Sequence, residues 1–227
     1  MTKHGPQGRR LAERVRTARG RTPASSRWLQ RQLNDPYVAE AKRCGYRSRA
    51  AFKLLEIDEK VRLLRRGMTV VDLGAAPGGW TQVAAERVGA ADGVGRVVAV
   101  DVLEMGAVPG ATVLRLDFLA DDAPATVKAA CGGDVDVVLS DMAPSTTGHP
   151  ETDHLRIMAL AEAALAFAVE VLRPGGAFVT KIFQGGGEQE FAGELRRRFA
   201  TVRRIKPPAS RAESAEFYFV ATGFKGA

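Results

Sequence analysis

The chain has 227 residues, enough for one domain with an extension, and 45% of them are hydrophobic, as in an ordinary globular protein. No apolar stretch approaches the ~20 residues of a membrane span, and the N-terminus lacks the apolar region of a signal peptide. Two cysteines far apart in sequence, Cys44 and Cys131, exclude a disulfide framework or a zinc ribbon, and the net charge of +7 points to a polyanionic partner. A reducing cytoplasm and a monomer are expected.

Much of the positive excess lies at the start. Residues 1–26 carry Gly5, Pro6, Gly20, Pro23 and the Ser25-Ser26 pair, and read as a basic, flexible arm before a single domain over 27–227. Up to residue 33 the basic side chains Lys3, Arg9, Arg10, Arg14, Arg16, Arg19, Arg21, Arg27 and Arg31 face only Glu13. Such an arm meets polyphosphate or remains a solvated tail. Asp35-Pro-Tyr37 starts a helix, with proline in its first turn. Ser48 is expected to cap a second, amphipathic helix over Arg49–Leu64, with Ala51, Leu54, Leu55, Ile57, Val61 and Leu64 on one stripe.

Strand and helix then alternate. Met68–Val71 reads as a buried strand and leads through Asp72-Leu-Gly-Ala-Ala-Pro-Gly-Gly-Trp80 into a helix over Thr81–Val88. Strands are expected at Gly95–Val100, Thr112–Leu116 and Val135–Ser140, with a helix over Ala123–Ala130 between the last two. A long helix over Thr152–Leu172 stops at Arg173-Pro-Gly-Gly176. Strand Ala177–Lys181, a helix over Glu188–Phe199 and strands Val202–Ile205 and Glu216–Thr222 complete the order. Seven strands alternating with helices specify an α/β fold with a mostly parallel sheet covered on both faces. The last two strands lack a helix between them, so they form a hairpin and the final strand runs antiparallel.

The turn after the first strand identifies the ligand class. Gly74 and Gly78 are too far apart for the dinucleotide fingerprint, and Trp80 stands where a P-loop requires lysine. An acid-led glycine turn without phosphate-binding elements suits a nucleoside with a cationic end, such as S-adenosylmethionine; the alternative is a turn that only packs helix on strand. Asp72, Asp101, Asp117 and Asp141 each follow a strand, and ligands of open α/β sheets bind outside those strand ends. There Asp101 can accept both ribose hydroxyls and Asp117 the adenine amino group, while helix-capping or loop roles are the alternative for each. His149 and His154 read as loop or surface residues, Phe183 as packing beside the crevice, and Arg47 and Arg49 as phosphate grips or solvated charges.

Ser25-Ser-Arg-Trp-Leu29, Tyr46-Arg-Ser-Arg-Ala-Ala-Phe-Lys-Leu54, Val71–Trp80, Leu139-Ser-Asp-Met-Ala-Pro144, Lys181-Ile-Phe-Gln-Gly185 and Tyr218-Phe-Val-Ala-Thr-Gly223 resemble, in order, the FtsJ/RrmJ type of ribosomal RNA 2′-O-methyltransferase. The resemblance implies a Rossmann-like class I methyltransferase fold, S-adenosylmethionine as cofactor, and a uridine of large-subunit (23S) ribosomal RNA as substrate, modified late in ribosome assembly. It implies a catalytic tetrad of Lys53, Asp141, Lys181 and Glu216, and cofactor contacts from Gly78, Trp80, Asp101, Asp117 and Asp141 beside Asp72 and Gly74 of the turn. No metal is implied. One departure is Ser210-Arg-Ala-Glu-Ser-Ala-Glu216, a segment usually basic in the family.

The tetrad also makes chemical sense by itself. Methyl transfer from a sulfonium needs an aligned oxygen and a destination for its proton. Lys181 ends an apolar strand, where desolvation with Lys53 nearby favours a neutral amine. It can then act as base, or hold the oxygen if it stays charged. Asp141 and Glu216 would orient the two lysines. Two rivals remain at this level. One is a methyltransferase for bases, proteins or small molecules, against which Asp141-Met-Ala-Pro144 speaks; the other is a basic RNA-binding factor without catalysis, against which the intact tetrad speaks.

Overall fold

The computed structural model describes residues 29–226 apart from 31, 145 and 146, so the basic arm expected over 1–26 lies outside the described residues. Helix α1 (Pro36–Cys44) opens the domain as its sequence requires. Asp35 caps it by accepting from the Tyr37 amide at 3.1 Å, and Gly45, at φ +78°, ends it. Helix α2 (Ala50–Val61) differs from expectation at both ends. Ser48 makes no cap; its hydroxyl is buried without a hydrogen-bond partner, and Arg49 occupies the N-cap position. The start of α2 is held by tertiary contacts instead, with Arg49 ion-paired to Asp35 at 3.0 Å and Trp80 Nε1 donating to the Ala50 carbonyl at 2.8 Å. Its end comes early because the Asp58 carboxylate accepts the Leu64 amide at 2.8 Å and turns the chain away.

Strands β1 (Thr69–Leu73), β2 (Arg96–Asp101), β3 (Ala111–Arg115), β4 (Val135–Ser140), β5 (Leu172–Phe183), β6 (Phe199–Ile205) and β7 (Glu216–Phe224) form one sheet. Helices α3 (Gly79–Val88), α4 (Ala123–Cys131), α5 (Pro150–Val171) and α6 (Glu188–Arg198) join them. The strand order is β3-β2-β1-β4-β5-β7-β6. The first five strands pair in parallel, while β7 lies antiparallel between β5 and β6. Strand β5 begins earlier than expected, because Leu172 already pairs with Val135 and the Arg173–Gly176 turn falls within the ladder as a register shift.

Apolar residues along the central strands alternate between two cores. Val71, Val98, Val138 and Phe178 pack under α4, α5 and α6. Their neighbours Val70, Val97, Leu139 and Val179 pack under α1, α2 and α3. A parallel sheet must be covered on both faces, so its strands carry nearly unbroken runs of valine and leucine. The parallel strands all end on one edge, and that edge carries the acids. There β7 reverses direction, so Glu216 and Tyr218, at its beginning, arrive at the edge where the other strands finish.

Arg62 is the one non-glycine among the described residues at positive φ, +52°, where it ends α2 in the left-handed conformation. An L side chain there is strained, and glycine relieves the strain at some entropic cost. The substitution Arg62→Gly is expected to raise unfolding stability by about 0.5–1 kcal/mol, read as a higher denaturant midpoint at unchanged slope.

Candidate active site

Strand β1 runs into a turn that brings its main chain close to the next elements. Gly74, at φ +76°, donates its amide to the Val100 carbonyl at 2.9 Å. A Cβ on Gly74 would lie 2.7 Å from the Met142 backbone, so only glycine lets the β1 turn touch the segment after β4. That contact is completed by the Asp141 amide donating to the Leu73 carbonyl at 3.0 Å. The turn leads through Gly78 into the N-terminus of α3.

Beside this turn lies a cavity of about 600 Å³ whose lining includes Gly74, Ala76, Asp101, Asp117, Asp141 and Met142. Asp101 accepts the Ala76 amide on one oxygen and the Leu103 amide on the other, both at 2.8 Å, so its carboxylate is fixed in orientation. Asp117 is fixed in the same way by the Leu119 amide at 3.0 Å. Val102, Leu103, Phe118 and Leu160 supply apolar wall. Fixed carboxylates on a partly apolar cavity fit a nucleoside with hydroxyls and a cationic end.

Three residues expected at the cofactor, Asp72, Gly78 and Trp80, are not among those lining this cavity. Asp72 is wholly buried behind the turn, with one oxygen accepting from the Thr81 hydroxyl at 2.6 Å and the other unpartnered. The Trp80 side chain is committed to the core, bonded to the Ala50 carbonyl and tilted against the Tyr218 ring at 5.5 Å. At Gly78 a Cβ would meet the Arg47 guanidinium and the Met105 sulfur. The tight passage of the chain explains these glycines as much as ligand approach does.

The four residues of the expected tetrad do come together. Lys181 Nζ lies 3.0 Å from an Asp141 carboxylate oxygen and also donates to the Asp141 carbonyl at 2.5 Å. Lys53 Nζ lies 2.7 Å from Glu216 Oε1. The two pairs are joined by Tyr218, whose hydroxyl donates to Asp141 Oδ1 at 2.8 Å and accepts from Lys53 Nζ at 3.2 Å. The sequence reading places Tyr218 in a motif but gives it no role in the site. Its signal was there, two residues from Glu216 on the same strand and therefore on the same face.

Electrostatics follow from this arrangement. Burial pushes the Asp141 pKa up, but the Lys181 and Lys53 ammoniums and the Tyr218 hydroxyl outweigh it, so the group is held below the ordinary carboxylate range. Burial pushes the Tyr218 phenol well above its ordinary value, reinforced by Asp141 and Glu216. Asp72 is pushed up to about 7 by burial, opposed by the Thr81 hydrogen bond and reinforced by Asp141 and Asp101.

The arginines before Lys53 do not present free guanidiniums. Arg47 donates to the carbonyls of Pro77 at 3.3 Å and of Gly106 and Ala107 at 2.6 Å, clamping the loop after β2 onto the glycine turn. Arg49 is held by Asp35 and the Ala209 carbonyl. Lys206, ahead of the departing Ser210–Glu216 segment, donates to the carbonyls of Ala212 and Ser214 within it. Among the described residues no cluster of histidine, cysteine or carboxylate side chains has the arrangement to hold a metal, and no helix is long and apolar enough to cross a membrane.

Asp72 generates a pH prediction. Its pKa is raised on folding, so its contribution to stability is fully present below about pH 4 and is lost as pH rises through about 7. Over that window it should lower stability by up to about 1.4 kcal/mol per pH unit. Asp141 has the opposite sign, and its contribution is lost only in acid, as pH falls through its depressed value. Urea unfolding from pH 5 to 8 should show the Asp72 slope in the wild type, and Asp72→Asn should flatten it.

The FtsJ-like methyltransferase family model matches residues 46–224. The chain is 59% identical over 222 residues to the ribosomal RNA large subunit methyltransferase E of Xanthobacter autotrophicus, covering 98% of this chain and 87% of that protein. It is 62% identical over 229 residues to the protein of the same name from Paramagnetospirillum magneticum, covering 99% and 94%. Among solved structures, a ribosomal RNA methyltransferase from Plasmodium falciparum superposes with a TM-score of 0.71 at 27% identity, covering 80% of this chain and all of that one.

Proposed function

Because the chain belongs to the FtsJ-like methyltransferase family, we propose that it transfers a methyl group from S-adenosylmethionine to the 2′-hydroxyl of a uridine in large-subunit ribosomal RNA, in the cytoplasm. The observation that carries this reading is the paired set of ammoniums and carboxylates against the acid-lined cavity. Asp141 belongs to both, lining the cavity and pairing with Lys181. The names of the relatives support ribosomal RNA as substrate.

The cavity fits the cofactor by its donor set. Asp101 and Asp117 would hold ribose and adenine, and Asp141 would face the cationic end. The cofactor supplies a methyl group already activated on a sulfonium, which is released as a neutral thioether. The remaining work falls to the tetrad. Lys181 gives up one proton before the step and takes that of the attacking hydroxyl as the carbon–oxygen bond forms, returning to the ammonium that Asp141 holds. Asp141 and Tyr218 fix the direction of its Nζ. Lys53, held by Glu216, keeps a positive charge beside the oxygen, where it stabilises developing negative charge. A ribose hydroxyl bound between the two lysines is thus aligned with the methyl group, and most of the rate gain comes from that alignment.

Methyl incorporation into ribosomal RNA, free or as large subunits, with mapping of the modified nucleotide, tests the proposal directly; a methyl found on a base would refute it. Lys181→Ala should abolish transfer while cofactor affinity stays within a few-fold. Tyr218→Phe, which keeps the ring against Trp80 but frees Asp141 and Lys53, should lower kcat about tenfold or more with little change in cofactor Kd.

Asp101→Ala should act in the opposite sense. It removes a fixed, charged acceptor from the cavity, so cofactor binding should weaken by about 1–3 kcal/mol. Calorimetry of cofactor binding checks this, and an unchanged affinity would remove Asp101 from the ribose position.

A further inference from the structure

Nine of the ten phenylalanines in the chain are buried, and each of the nine belongs to one of the two cores. The tenth, Phe183, belongs to neither. It stays partly exposed and makes no ring contact with another aromatic side chain among the described residues. A single exposed apolar side chain needs no explanation by itself. The surroundings of Phe183 supply one.

Phe183 is the last residue of β5, two positions after Lys181. Alternate residues of a strand share a face, so Phe183 stands on the face of the Lys181 side chain, about 7 Å further along the strand. Across the ladder Lys181 pairs with Tyr218, and Phe183 pairs with Glu216. Directly opposite side chains on one face have Cβ atoms roughly 5 Å apart. Phe183 therefore flanks the Glu216 side chain that holds Lys53. Its support is rigid, because the hydrogen bonding continues past it, with the Gln184 amide donating to the Ala215 carbonyl at 3.0 Å.

The direction of the reaction fixes the side of the tetrad that the nucleotide occupies. The acid-lined cavity lies over the ends of β1, β2, β3 and β4, and Asp141 is its member nearest β5. Displacement at the methyl carbon runs in line, so the attacking oxygen comes from the side opposite the sulfonium. That side belongs to β5 and β7, which carry Lys181 and Glu216. The base of the same nucleotide extends beyond its ribose, and at the end of these two strands it meets Phe183.

We propose that Phe183 is the stacking platform for the base of the nucleotide being methylated. This rests on the RNA 2′-O-methyl transfer proposed above. Bases stack on aromatic side chains whatever their sequence, because every base has a π face. Phe183 offers no hydrogen bond, so it orients the nucleotide and does not select uracil. Held by its base, the ribose presents its 2′-hydroxyl to Lys181 with few orientations left to search.

Variants of the full-length protein acting on large ribosomal subunits test the assignment. Phe183→Leu keeps an apolar side chain but has no aromatic face. It should lower kcat/KM for subunits by about 5- to 150-fold, the range of one lost base–aromatic stack. Phe183→Trp should keep most of the activity. Cofactor Kd by calorimetry and the thermal midpoint should match the wild type in both variants. A benzophenone amino acid placed at position 183 should crosslink on irradiation to the methylated nucleotide. Four results would each overturn the inference: wild-type kcat/KM in Phe183→Leu, as for a ring that only shields the tetrad from water; equal impairment in Phe183→Trp and Phe183→Leu; weakened cofactor binding in Phe183→Leu; or crosslinks confined to other nucleotides. A wild-type protein that places no methyl group on a ribose would instead overturn the reaction on which the inference rests.

Discussion

A buried carboxylate facing two ammoniums organises the edge of the sheet where the parallel strands end. Asp141 lies against Lys181 and, through the Tyr218 hydroxyl, against Lys53, which Glu216 neutralises in turn. Two positive and two negative groups with small exposure tolerate burial only together, because removing one leaves an uncompensated charge at a cost of several kcal/mol. The members come from α2, β5, β7 and the residue after β4, so the cluster forms only once the sheet has its observed order. The chemistry and the topology are the same constraint seen from two sides.

The cavity side of the edge obeys a different rule. There the acids are fixed by backbone amides and not by cations, which leaves their outer lone pairs free for hydroxyls and amines. Asp72 looks equivalent in sequence but is sealed behind the turn, where it serves Thr81 and carries a raised pKa. Equivalent positions at strand ends therefore divide into those that face the cavity and those that brace it.

That division marks the limit of what the residues reveal before folding. Alternating strands and helices, the hairpin at the end and the convergence of acids on one edge were all legible, because they follow from periodicity and chain order. The Ser48 cap was not made, since contacts from Trp80 and Asp35, distant in sequence or in another helix, hold α2 instead. Strand β5 starts earlier because pairing with Val135 overrides the Pro-Gly-Gly turn. Trp80 and Asp72 sit in a motif that reads as ligand-binding, yet their side chains point into the core, a matter of rotamer and packing that no spacing encodes. Tyr218 was overlooked because an aromatic residue in an apolar strand reads as core, which it also is.

The position of β7 between β5 and β6 has a consequence for how the molecule comes into being. During synthesis from the N-terminus, β5 and β6 exist before the strand that separates them, and each presents an open edge until β7 slots in between. Two of the five residues in the buried cluster, Glu216 and Tyr218, arrive with that same late strand. An incomplete nascent chain therefore holds Lys53, Asp141 and Lys181 without their balancing partners, and closing the sheet and assembling the cluster become a single final event.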